Sequence, residues 1–65
     1  MPRPGQLLIF SAPESRDSSY DDVSGSWLTY NLGGVVMFIG WKGQRLLVLD
    51  GETLRTLDAT KWQPI

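Results

Sequence analysis

Two apolar runs, Val35-Val36-Met37-Phe38-Ile39 and Leu46-Leu47-Val48-Leu49, flank a short Gly40-Trp41-Lys42-Gly43-Gln44 connection. The spacing predicts a β-hairpin whose two strands are apolar on both faces. A half-buried strand alternates apolar with polar residues, whereas a continuous apolar run calls for cover on both sides. A chain of 65 residues has little material with which to supply two covers. The pattern therefore points to a second molecule, and no motif in it names a chemical activity.

Size sharpens this point. A domain of about 60 residues buries only about 60% of the surface its unfolded chain exposes, so such domains usually rely on disulfides, a metal or oligomerisation. The sequence has no cysteine and no histidine, which removes disulfides, thiolate sites and imidazole sites together. What remains is a very well packed core or a partner. With six basic and seven acidic residues and a net charge of −1, the chain lacks the basic balance of most nucleic-acid or anionic-membrane binders.

Leu7 to Phe10 is too short for the apolar region of a signal peptide. The stretch from Leu32 to Trp41 is about half the roughly twenty residues that a transmembrane helix needs. The expected setting has no membrane: a soluble protein, cytoplasmic by default or incorporated in a virion.

Along the chain, Gln6 to Phe10 is a short apolar run bracketed by prolines and reads as a strand. Residues 11–25, SAPESRDSSYDDVSG, read as a long polar loop. Ser26 to Leu32 is aromatic and branched, hence a second strand. Gly33-Gly34 turns the chain into Val35 to Ile39, and Lys42-Gly43-Gln44 turns it into Arg45 to Leu49. Asp50-Gly51 is a hairpin signal leading to Glu52 to Leu57. Asp58-Ala59-Thr60 forms one turn, and Lys61 to Ile65 a closing strand or tail that Pro64 confines to an edge. The sum is an all-β domain over 1–65, a five-stranded antiparallel meander closing as an SH3-like or partly open barrel, with an extended segment at 1–5.

Alternation divides the hairpin into two sets. One holds Val35, Met37, Ile39, Leu47 and Leu49, the other Val36, Phe38, Leu46 and Val48. A barrel has one interior, so one set faces outward, and the smaller set, Val36, Phe38, Leu46 and Val48, is the expected outward one. Covering four such side chains is worth on the order of 6 to 10 kcal/mol, comparable with the whole stability of a small domain. Two covers compete for them: the Leu7 to Phe10 run or the long loop of this chain, and a second protein surface, which is the favoured one. The expected interface then comprises these four with Trp41 and Trp62 as aromatic anchors and Arg45 at the rim.

Other chemistries fare less well. The usual general base and thiol nucleophile are absent, and Asp21-Asp22 point apart in an extended segment, so no enzyme is expected. Asp17, Tyr20, Asp21 and Asp22 lack the ordered spacing of a calcium loop, so no cofactor or metal is expected. A single-stranded nucleic acid could stack on Trp27, Tyr30, Trp41 and Trp62 beside Lys42, Arg45, Arg55 and Lys61. An SH3-like peptide groove would draw on Tyr20, Trp41 and the acidic loop. The favoured expectation is a non-enzymatic structural or adaptor subunit with a protein partner or self-association, for example a small component of a virus particle. A nucleic-acid- or peptide-binding module is the alternative.

Overall fold

The computed structural model describes residues 2–12, 16–21, 25–30 and 32–65, and leaves the side chains of Tyr20, Asp21 and Ser26 undescribed. Among the described residues seven strands follow one another: β1 (Leu7–Phe10), β2 (Asp17–Asp21), β3 (Ser26–Tyr30), β4 (Val35–Lys42), β5 (Arg45–Asp50), β6 (Thr53–Asp58) and, after a 3-10 turn at Ala59–Lys61, β7 (Trp62–Pro64). The described residues contain no α-helix. The all-β expectation stands, with a different division of strands.

Five strands form one antiparallel sheet in the order β6-β5-β4-β1-β7, and β2-β3 is a separate two-stranded hairpin. A simple meander is therefore a correction on two counts. The first strand does not pair with its successor; β1 lies between β4 and β7, with Leu7 opposite Met37 and Phe10 opposite Trp62. The supposed loop at 11–25 also contains β2, paired along its length with β3 from Asp17↔Tyr30 to Asp21↔Ser26. Serine and aspartate have weak strand propensity, so this strand is created by its pairing and by what it buries, Asp17 and Ser19.

The β4–β5 and β5–β6 connections are two-residue turns, Gly43-Gln44 and Gly51-Glu52. Each opens on a glycine at positive φ, +63° and +62°, and no described non-glycine residue has positive φ. That combination fits turns needing a left-handed residue only at their first central position, which match the right-handed twist of the flanking strands. Within β4 the register with β5 slips between Phe38 and Gly40. A strict alternation would place Trp41 with Val35 and Met37. The bulge re-aims it, so Trp41 stands opposite the buried Leu46, and its ring meets Phe38 edge-on at 5.7 Å.

The core lies between the sheet and the β2–β3 hairpin. It comprises Leu8, Phe10, Tyr30, Val36, Phe38, Leu46, Val48, Leu57 and Trp62, with Ala12, Leu28 and Ala59 packed against it. Val36, Phe38, Leu46 and Val48 are each at most 2% exposed. The faces of the hairpin are therefore the reverse of the expectation: these four point inward, and Val35, Met37, Ile39, Leu47 and Leu49 belong to the other side. Trp62 is likewise a core residue, packed edge-on against Phe10 at 5.3 Å and Tyr30 at 5.1 Å. Aromatic pairs of this geometry gain beyond their buried area.

Polar groups fasten the hairpin over that core. The buried Asp17 carboxylate accepts from Trp62 Nε1 at 2.8 Å and from the Asp58 backbone N–H at 3.0 Å. Tyr30 donates its hydroxyl to Asp50 Oδ2 at 2.7 Å, and Arg55 Nη1 donates to the Ser19 carbonyl at 3.4 Å. Lys61 Nζ donates to the Arg16 carbonyl at 2.6 Å. Buried polar atoms need such partners, and here they tie β2 to both edge strands of the sheet. Facing is thus decided by which side the hairpin can both fill and satisfy.

Candidate interaction surface

The outward side of the five-stranded sheet is the candidate site. Strand alternation carries Leu7 and Ile9 outward from β1, while Leu8 and Phe10 go in. On β4, Val35 and Ile39 are exposed and Met37 half-buried; on β5, Leu47 and Leu49 are half-buried. Leu54 on β6 and Ile65, just after β7, complete the set. An outward sheet face normally carries polar residues; this one carries leucine, isoleucine, valine and methionine.

Register lines these side chains into rows. Ile65 donates its backbone N–H to the Leu7 carbonyl at 3.0 Å. Leu7 stands opposite Met37, Met37 opposite Leu49, and Leu49 opposite Leu54. The apolar row Ile65–Leu7–Met37–Leu49–Leu54 thus crosses the whole sheet. A second row runs Gln63–Ile9–Val35. Leu7 is 47% exposed and Val35 44%, so these side chains are supported by their neighbours without being covered. Large apolar faces of this kind on soluble domains mark contacts with other molecules.

Among the described strand residues, charge on this face stands at its two ends. Lys42 and Arg45 face each other across β4 and β5, and Arg45 stands opposite Asp58 on β6. Arg45 Nη2 donates to the Thr56 carbonyl at 3.2 Å. Asp58 Oδ1 accepts from both the backbone N–H of Thr60 at 3.0 Å and its hydroxyl at 2.8 Å. Those two bonds, the backbone one foremost, hold the Asp58 carboxyl below the usual carboxylate range. At the other end of β5 and β6, Glu52 stands exposed in the Gly51-Glu52 turn. Asp50, beside it, is occupied by Tyr30. Burial, followed by that hydrogen bond to the carboxylate, pushes the Tyr30 hydroxyl well above its ordinary range.

Of the interface residues expected from sequence, Val36, Phe38, Leu46, Val48 and Trp62 lie in the core. Only Trp41 and Arg45 reach solvent, and they do so from different sides of the sheet. The residues missed are Leu7, Ile9, Val35, Met37, Ile39, Leu47, Leu49, Leu54 and Ile65. Their signal was present, since the hairpin's second apolar set is as regular as its first, but alternation does not say which set goes inside. The aromatic set proposed for stacking is divided: Tyr30 and Trp62 are buried, while Trp27 and Trp41 are exposed. Its cations are divided too, with Lys42 and Arg45 at one end of the sheet and Arg55 and Lys61 bonded to the backbone of 16–19. Tyr20 of the peptide-groove reading lies outside the described side chains.

Among the described residues no group of three or more acidic side chains is placed to hold a metal ion, and no helix is long and apolar enough to cross a membrane. The chain matches no known protein family, no curated protein and no solved structure.

Proposed function

We propose that this chain is a non-enzymatic structural or adaptor subunit that binds another protein through the outward face of its five-stranded sheet. One observation carries the reading: the row Ile65–Leu7–Met37–Leu49–Leu54, apolar from edge to edge. Each of its half-exposed side chains gains on the order of 1 kcal/mol when water is removed from it. A component of a larger assembly, a virus particle for instance, offers a cover of this kind. Five antiparallel strands with a hairpin laid over one side support an SH3-like, partly open barrel as the finer description of the fold. The hairpin fills the interior in this scheme, and the outward face of the sheet is the exposed one.

The test uses Leu7→Asp and Val35→Asp. Both variants should keep the wild-type circular dichroism spectrum and cooperative thermal transition. In dilute solution the wild type should enhance the fluorescence of an apolar dye, and both variants should lose most of that signal. A folded wild type that leaves the dye dark would remove the outward face as a binding surface.

A further inference from the structure

We propose that the occupant of the outward face is a second copy of this chain, seated about a two-fold axis that runs across the strands along the row Ile65–Leu7–Met37–Leu49–Leu54. This inference rests on the interaction-surface reading and adds the partner and its orientation.

The row is self-complementary. An axis lying along it sets each residue against its own equivalent, so apolar meets apolar at every step. Met37 is the centre, since it has Leu7 on one side and Leu49 on the other. The patch has no like charges to bring together, because no lysine, arginine, aspartate or glutamate stands among Leu7, Ile9, Val35, Met37, Ile39, Leu47, Leu49, Leu54, Thr56, Gln63 and Ile65. A closed, isologous pair is the commonest outcome for such a surface.

Charge at the ends selects the axis. Lys42 and Arg45 mark one end of the central strands, and Glu52 the other. At the first end two cations, Lys42 and Arg45, stand against one acidic neighbour, Asp58, which leaves that end net positive. An axis across the strands lays the Lys42–Arg45 end of one copy over the Glu52 end of the other. An axis parallel to the strands would instead lay Lys42 and Arg45 over themselves. Opposed charges at a rim fix register and orientation more than they add affinity.

Area sets the strength. Five strands spaced about 4.8 Å apart, with rows about 20 Å deep, present roughly 500 Å² on each copy. The pair would bury roughly 1,000 Å² in total, at the lower limit of specific interfaces. Its association is accordingly weak and concentration-dependent.

Sedimentation equilibrium over about a hundredfold range of concentration tests this directly. The mass should rise from monomer toward dimer and stop there, and dye fluorescence per chain should fall as it does. Met37→Glu should stay monomeric throughout. Glu52→Lys should weaken association about threefold to tenfold at low salt, and the double change Glu52→Lys with Arg45→Glu should recover most of the loss.

A wild type that remains monomeric yet binds dye, with the signal lost in Met37→Glu, overturns self-pairing and leaves the face to a foreign protein. A monomer that binds no dye overturns both this inference and the reading beneath it. Growth past the dimer overturns the two-fold axis, and a Glu52→Lys chain that pairs as well as wild type overturns the orientation.

Discussion

The two sides of the β4–β5 hairpin are nearly equal in hydrophobicity and opposite in fate. Val36, Phe38, Leu46 and Val48 are sealed, while Val35, Met37, Ile39, Leu47 and Leu49 stay partly in water. Greasiness therefore does not decide which side of a sheet becomes the core. What differs is the company each side keeps. The inner side meets Phe10, Tyr30 and Trp62, whose rings fill volume, and it meets a hairpin whose Asp17 satisfies the indole N–H of Trp62. On the outer side Leu7, Ile9, Val35 and Ile39 stay exposed, and among the described residues no second layer packs over them.

The largest expected effect breaks that comparison outright. Phe38→Ala should cost about 3 to 5 kcal/mol through lost burial and the cavity left behind. This rivals the stability of a small domain, about 5 kcal/mol. The variant should show little or no cooperative thermal transition. Val35→Ala, three residues away on the other side, should cost about 1 kcal/mol or less. Equal losses at the two positions, measured by urea unfolding, would show that the outer side is as deeply covered as the inner.

The existence of most strands was legible in the sequence because it depends on local pattern. Leu7–Phe10, the β4–β5 hairpin and the turn after β5 all announce themselves through apolar runs and turn glycines. That turn is Gly51-Glu52, however, one residue later than the Asp50-Gly51 signal, with Asp50 still paired in β5. The excess of apolar strand surface was legible too. Facing was not, because alternation defines two sets and labels neither; the label comes from partners far along the chain, such as Tyr30 and Trp62. Nor was β2, whose Asp17 and Ser19 look like loop residues until their buried bonds are seen. Trp41 shares a side with Phe38 and Leu46, as expected, but only through a one-residue bulge, which no two-residue period can announce.

Asp17→Ala sharpens the comparison by loosening the cover while every residue of the sheet is kept. It leaves the Trp62 indole N–H and the Asp58 backbone N–H without their shared acceptor. Leaving buried donors unsatisfied costs about 1 to 3 kcal/mol. The melting temperature should fall, and indole fluorescence should shift as Trp62 gains access to water. An unchanged melting temperature would mean that the hairpin is held by apolar contacts alone.

Tyr30→Phe is the smallest change, and pH makes it informative. The ring stays against Trp62, so apolar burial is kept, and the loss of the hydroxyl bond to Asp50 should cost about 1 kcal/mol. In the folded chain burial and the Asp50 carboxylate hold the proton on Tyr30, so its folded pKa is raised above the ordinary tyrosine value of 10.0. Once the pH passes that ordinary value, the unfolded chain binds fewer protons than the folded one, and stability falls as pH rises toward the folded value. The contribution is fully present below the unfolded pKa and disappears through the alkaline range. Wild-type stability, followed by urea unfolding, should therefore decline above pH 10.0, the ordinary value. The decline should be shallower in Tyr30→Phe, which has no proton to lose there. Curves of equal slope would place the alkaline sensitivity elsewhere and would mean that the inner face is less dry at Tyr30 than its packing implies.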